Sequence, residues 1–362
     1  MRKSKINITK LWSTTYRVLR TYNIEEKVIS IIITILVVVV GVQGIIEAFE
    51  KGSFMPGEGG LYIEGILSDK PLVLNPVYSD FSDANREVNS LVFSGLTKYD
   101  PEKEAFVGDL AKLTISEDKQ VYKFELKTGV SWHDGEPLTI DDVYYTFHDV
   151  IQDPEFQNPV LKANFEGVEI KKDDEKTIEF VLEKPNSFFI TNLNVGVLPK
   201  HILGDLSVPE IAFSDFNASP IGTGPYKVES GVGVETDGRQ RVSLESYSEY
   251  YGDLPKIEKI RFYIYPYTDF LLKEKSNINI ISKVPADTLS ELQESGRFTF
   301  EGYELPQYTA VFINMDSVVL QKEKVRVALQ KAIDKEELMK MFNNKMAVDT
   351  PLLSLSQEDW IY

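Results

Sequence analysis

The sequence predicts an α/β protein that follows one N-terminal apolar helix, and three observations lead there. Short alternating runs such as Val121 to Leu126 (VYKFEL) recur along the chain, with the period-two pattern of half-buried strands. Helical spacing follows them with clear start signals. After the tight-turn pair Asp134-Gly135, Thr139 precedes Val143, Phe147, Val150 and Ile151, and Asp142 stands at the capping-box position. The third observation is Val28 to Ile46 (VISIIITILVVVVGVQGII), where Gln43 is the one strongly polar residue. That is about the length a helix needs to cross a bilayer core.

The chain has 362 residues and 43% hydrophobic content, enough for one large domain or two ordinary ones. Its net charge of −17 argues against nucleic acid as a partner. Residues 1–27 run the other way, with seven Lys/Arg against Glu25 and Glu26, a net of +5 that leaves −22 for the remainder. Basic residues before the apolar run and acids after it (Glu47, Glu50, Glu58) predict a cytoplasmic N-terminus and an extracytoplasmic bulk. The long basic region and the lack of an A-x-A-like site favour an uncleaved anchor over a signal peptide. There is no cysteine, which excludes disulfides, thiolate metal sites, a Cys nucleophile and an acylated Cys anchor.

In order, the sequence reads as a basic cytoplasmic tail (1–27), a transmembrane helix (28–48, apolar over 28–46) and a Gly-rich linker (49–60). The globular part opens with a strand at Leu61 to Leu67, the corner Leu74-Asn75-Pro76 and a helix from about Asp83. Val92-Phe93-Ser94-Gly95-Leu96 and Gly108-Asp109-Leu110-Ala111 follow. A hairpin joins Leu113–Ile115 to Val121–Leu126, and a second joins Val168–Ile170 to Thr177–Leu182 across Asp173-Asp174. Pro185 stops that strand, and Phe188, Phe189 and Leu193 suggest a short apolar helix. Then come Val197-Leu198-Pro199-Lys200-His201 and Ile221-Gly222-Thr223-Gly224-Pro225-Tyr226, where the two glycines are expected to permit backbone geometries that side chains block. Val242 to Leu244, Tyr250 to Gly252, Ile257 to Tyr265 and Tyr308 to Met315 would be strands by the family resemblance that these motifs carry, and a helix is expected from Val284 to Leu292. Val325, Ala328, Leu329, Ala332 and Ile333 make one apolar helical stripe, after which Asp334 can cap a second helix with Glu337 at capping-box spacing.

The string WHDGEPLTIDDVYYTF, the LPKH and GTGPY steps and the 324–338 segment resemble, in the same order, the family 5 extracellular solute-binding proteins, the peptide-binding receptors of ABC importers. The resemblance covers residues 61 to about 345. Departures are Ile140 for the usual Ala, Asn75 for an acid at the first corner, and LLKEKSNINII (271–281) without the family's Gly and Asp. The resemblance implies a two-lobed, periplasmic-binding-protein-like (type II) α/β fold. The first lobe would span 61–282, with a sub-domain at about 86–195. Residues 283–362 would begin a second lobe that is truncated, since relatives run much longer.

It also implies a receptor that closes over a peptide or other small solute and delivers it to a membrane permease served by separate ATPase subunits. The lining it implies is Asn75, Tyr78, Phe93, Ser94, Thr223, Tyr226 and Asn314, each of which has an alternative reading as packing or turn chemistry. No cofactor or metal is expected. A membrane-anchored sensor or envelope interaction protein that reuses the fold is the alternative. A peptidase fits less well: His133, His148 and His201 each read first as structural residues, no GxSxG or HExxH occurs, and the acid pairs Asp141-Asp142 and Asp173-Asp174 suit a helix start and a turn. Oligopeptides, dipeptides, metal chelates and sugars are all possible cargo.

Overall fold

Alternating apolar residues need a sheet to bury one face, and the chain builds two main sheets for them. The computed structural model describes residues 23–50, 58–79, 82–284, 286–302 and 310–341, with side chains left aside at 44–50, 286–287 and 341. The chain divides into two units, 1–60 and 61–362.

In the first unit the apolar run lies within one 27-residue helix, α1 (Ile24–Glu50). From Val28 to Gln43 every side chain but the half-buried Ser30 is exposed. By length, hydropathy and charge taken together, no helix among the described residues qualifies as a membrane span. The basic tail up to residue 22, and residues 51–57 of the linker, lie outside the described residues.

The second unit runs β1 (Leu61–Leu67), α2 (Asp83–Val92), β2 (Thr97–Asp100), β3 (Ala105–Gly108), β4 (Ala111–Ile115), β5 (Val121–Leu126), α3 (Ile140–Tyr144), α4 (Pro159–Asn164), β6 (Val168–Lys172) and β7 (Thr177–Leu182). It continues with α5 (Lys200–Leu203), α6 (Val208–Ile211), β8 (Tyr226–Val234), β9 (Gln240–Ser246), β10 (Lys259–Tyr265), α7 (Thr268–Glu274), β11 (Ile280–Ser282), α8 (Ala286–Glu294), α9 (Glu323–Ala332) and α10 (Lys335–Met341). Start signals legible in the sequence are used. The Thr139 N–H donates to the Asp142 carboxylate at 2.9 Å, and the Glu337 N–H donates to Asp334 at 3.0 Å. Ser82 caps α2 by accepting from the Asn85 N–H at 3.4 Å.

One sheet has the order β11-β1-β10-β9-β8 and is mixed: β1 lies parallel to β10 and β11, while β9 is antiparallel to both β10 and β8. Between the parallel neighbours β1 and β10 the chain inserts a four-stranded antiparallel sheet, β4-β5-β7-β6, and the β2-β3 ribbon. The inserted sheet buries Phe124 and Phe180 against Phe147, Phe165 and Phe189. The centroid separations, 5.9 Å for Phe124–Phe180 and 5.3 Å for Phe147–Phe180, are in the range of favourable edge contacts.

Four expectations need correction. The helix from Thr139 changes pitch: Tyr145–Ile151 is a π-helix. The Thr146 hydroxyl donates to the Asp142 carbonyl at 2.8 Å and accepts from the Leu198 N–H at 2.8 Å, so a side chain competes for the i−4 acceptor. Tyr250 to Gly252 forms a turn rather than a strand. Residues 310–315 are not a strand; Val311 and Phe312 are 79% and 90% exposed, and no described neighbour pairs with them. Residues 308–309 lie outside the described residues. The short helix at 189–194 is 3₁₀; it buries Phe189 and Leu193 but leaves Phe188 exposed.

The two motif glycines matter for close approach, not for unusual dihedrals. A Cβ on Gly222 would stand 1.9 Å from the Val92 carbonyl oxygen, and one on Gly224 would stand 2.4 Å from that of Leu91. Both neighbours are backbone, so they cannot rotate away. Gly222→Ala is therefore expected to destabilise the second unit by about 2–3 kcal/mol in a urea titration. Gly233→Ala, whose nearest neighbour would be 3.9 Å away, is expected to stay within about 1 kcal/mol.

Candidate functional site

The sequence motifs converge on the C-terminal end of α2. The loop 221–225 lies flat on it, with the Gly224 N–H donating to the Val92 carbonyl at 2.8 Å. The next step of the chain reaches back: Ser94 Oγ donates to the Thr223 carbonyl at 3.3 Å. His133 fastens the loop from the other side. Its own N–H donates to the Gly222 carbonyl (3.0 Å), and its Nδ1 accepts from the Gly222 N–H (3.1 Å). That contact leaves the ring proton on Nε2, which donates to the Gly224 carbonyl (3.0 Å). Trp132 is fully buried. Its carbonyl accepts from the Tyr247 hydroxyl (2.8 Å), and the Tyr247 ring meets His133 edge-on at 4.9 Å. The LPKH step joins the same joint, with the Lys200 N–H on Asp142 (3.0 Å) and His201 Nε2 on Asp134 (3.0 Å).

The residues expected to line a ligand fall into three groups. Phe93, Ser94 and Thr223 meet at the end of α2, and all three are buried. Asn75 is joined to them indirectly. Its amide donates to Asn217 Oδ1 (2.8 Å), next to Phe216, whose ring lies 6.3 Å from that of Phe93. Asn75 Oδ1 also accepts from the Val77 and Tyr78 N–H groups at 3.1 and 3.3 Å. The hydroxyls of Tyr78 and Tyr226 donate to the carbonyls of Val208 (2.6 Å) and Ile257 (3.1 Å). Asn314 is exposed; its Oδ1 accepts from the Asp316 N–H at 2.9 Å, and no hydrogen bond ties it to the others among the described residues. Most polar atoms of this set thus have protein partners. Thr223 Oγ1 is the exception, buried with none among the described residues.

Sequence reasoning missed a polar cluster joined to this set through Ser94. Asp109 is buried, and its Oδ1 lies 3.1 Å from Lys98 Nζ without a directed hydrogen bond, so the contact is ionic. Partial burial works against charge on Lys98, yet Asp109 holds its pKa above the ordinary value. Burial, and next the Asp109 charge, push the Tyr251 phenol far up, with the Ser94 and Tyr250 hydroxyls beside it. Lys127 Nζ sits 5.2 Å from the Tyr251 ring centroid. Asp109 stands in the Gly108–Ala111 step and Tyr251 in an expected strand, and only the fold brings them together. Such groups offer hydrogen bonds and charge, and no group of three metal-binding side chains occurs among the described residues. Two open hollows, about 550 and 600 Å³, lie by Gln330–Glu336 and by Thr139, Asp141 and Lys172, and contain none of the expected lining residues.

His133 gives the joint a pH dependence. Burial above all pushes its pKa from 6.5 down to about 4, and nearby Lys227 adds to the shift. The unfolded chain therefore takes up this proton before the folded one does. The contribution is complete above pH 6.5 and is lost as pH falls towards 4. Urea midpoints should show about 2–3 kcal/mol lost through this group over that window. His133→Gln is expected to remove that part of the slope while lowering stability at pH 7.

With this geometry in view, the relatives become informative. Residues 105–360 match the family described as bacterial extracellular solute-binding proteins, family 5 Middle. The oligopeptide-binding protein AppA of Bacillus subtilis is 25% identical over 295 residues, covering 80% of this chain and 53% of that protein. The dipeptide-binding protein of Escherichia coli is 28% identical over 264 residues, covering 66% of this chain and 47% of that protein. Among solved structures, NikZ from Campylobacter jejuni in complex with Ni(L-His) superposes with a TM-score of 0.64 at 30% identity, covering 79% of this chain and 55% of that one. AppA from Bacillus subtilis in complex with a nonapeptide superposes with a TM-score of 0.62 at 25% identity, covering 79% and 56%. The chain thus spans about half the length of the curated relatives it matches. On the match over 105–360, with the motif residues meeting in one joint, the chain belongs to the family 5 bacterial extracellular solute-binding proteins.

Proposed function

We propose that this chain belongs to a receptor that captures peptides outside the cytoplasmic membrane and delivers them to an ABC importer, through a permease with separate ATPase subunits. The family match carries the reading, and the oligopeptide- and dipeptide-binding relatives supply the ligand class. In this reading 61–282 is the first lobe and 283–362 the beginning of the second. Asn75, Tyr78, Phe93, Ser94, Thr223, Tyr226 and Asn314 belong to the cleft wall, in which Thr223 Oγ1 supports a ligand contact because it is buried and unpaired. Extended peptides suit such a wall because their backbones can be held by hydrogen bonds while side chains vary.

We also propose that α1 is a membrane anchor, N-terminus inside. The joint criterion of length, hydropathy and charge does not select it. Support comes from the uncharged stretch 28–46, which at 1.5 Å per residue is about 28 Å long, close to a hydrocarbon core. Solvating those exposed Val and Ile side chains in water costs about 25 cal/mol per Å², so a lipid environment is favoured.

Two experiments test these readings. Mass spectrometry of the full chain purified in detergent is expected to recover intact peptides, along with a peptide-induced change in Trp fluorescence. Cleaved peptides would point to a peptidase, and neither peptide nor fluorescence change would shift the reading to an envelope sensor. Separately, the full chain is expected to stay in the membrane pellet after alkaline carbonate, and Val37→Arg to weaken retention by about 2.5–3.5 kcal/mol of insertion free energy. Release of the unaltered chain would dismiss the anchor.

A further inference from the structure

The mechanics of strand β11 point to a device that is separate from the ligand site. Among the described residues β11 is an edge strand of three residues, paired with β1 alone through Glu64↔Ile280, Gly65↔Ile281 and Ile66↔Ser282. So short an edge has little of its own to hold it. Two side chains at its end do part of that work. The Ser282 hydroxyl donates to Glu64 on β1, and Lys283 pairs with Asp83 at the start of α2. Lys283 itself has φ +53°, a left-handed conformation that costs a lysine free energy and must be held by its surroundings.

Glu87 stands one turn along α2 from Asp83 and faces Glu64. Its Oε2 is buried without a hydrogen-bond partner among the described residues. The charged and titratable groups around it are Glu64 and Tyr62 from β1, Asp83 from its own helix and Lys283 from the end of β11. Arg86, also on α2, pairs with Asp83. Asp83 and Glu87 of α2 therefore share the field of one lysine, and Glu64 adds a further negative charge to Glu87, at the fastening point of a short strand.

We propose that Glu64 and Glu87 form a proton-operated latch on β11. With one proton shared between them, the pair holds together, Glu64 keeps the Ser282 hydroxyl and Lys283 stays on Asp83. When that proton leaves, two adjacent carboxylates repel and loosen β11 together with the segment leading into α8. The latch concerns the fastening of β11 alone and stands whether or not the chain binds a peptide. The electrostatics agree: burial first, then Glu64, raise the Glu87 pKa from 4.5 to about 7, and Lys283 only partly offsets this. A carboxyl group raised in the closed state and ordinary in the open state stabilises closure at low pH. That stabilisation fades as pH rises from about 4.5 to about 7.

Hydrogen exchange of the full chain in detergent, followed at residues 278–284 and corrected for intrinsic exchange, tests this. Protection is expected to fall by about tenfold or more between pH 5 and 7.5. Glu87→Gln, which keeps a hydrogen-bond donor and removes the charge, is expected to hold protection high and flat. Glu64→Gln leaves the burial of Glu87 in place and is expected to shrink the fall without abolishing it, which keeps the test open if the first variant folds poorly. Asp83→Asn is expected to lower protection at both pH values and keep the slope. A change below about threefold in the unaltered chain overturns the latch. So does a glutamine variant that follows the unaltered profile, or a slope removed by Asp83→Asn instead.

Discussion

The contact on which most of this architecture depends is backbone against backbone: the 221–225 loop resting on the last carbonyls of α2. A helix ends with carbonyls that have no partner within the helix. Here the Gly224 N–H satisfies that of Val92, and the glycines let the two chains approach to a distance no side chain permits. The loop leads into β8, at the far edge of the five-stranded sheet, and α2 follows closely on β1, near its other edge. One contact therefore ties together segments more than 120 residues apart.

His133 converts that contact into a rigid joint. A neutral imidazole donates on one side and accepts on the other, so it can bind Gly222 and Gly224 at once. Lys or Arg could only donate, and a carboxylate could only accept. Burial keeps the ring neutral, and neutrality is what the geometry requires. His133, which reads first as structural in the sequence, holds the loop, while Asp134 bonds to the more exposed His201.

The legibility of the sequence follows the range of the interactions. β1, β5, the two hairpins and the caps at Thr139 and Asp334 depend on neighbours within a few residues, and they read correctly. The π pitch after Tyr144 did not, because Val143, Phe147, Val150 and Ile151 face the core in either helix and the cause is a hydroxyl bonding to Leu198, 52 residues away. Tyr251 was read as strand, yet a turn places it near Asp109, some 140 residues earlier. The run at 310–315 has strand composition, but a strand also needs a neighbour, and alternation cannot supply one.

The site shows the same division. Family motifs pointed to Ser94, Thr223 and Tyr226, and most of their polar atoms hold the protein to itself. A residue that carries a recognisable pattern is often one whose backbone must be held in place, since glycine contacts and buried hydrogen bonds tolerate few substitutes. Recognition of varied cargo makes the opposite demand: hydrogen-bonding capacity left unused by the fold, with side chains free to vary. On that argument Thr223, whose buried Oγ1 has no partner among the described residues, leaves more hydrogen-bonding capacity available than Asn75, whose side chain is bonded. The motif identifies the frame, and the groups the frame leaves unsatisfied show where its chemistry is available.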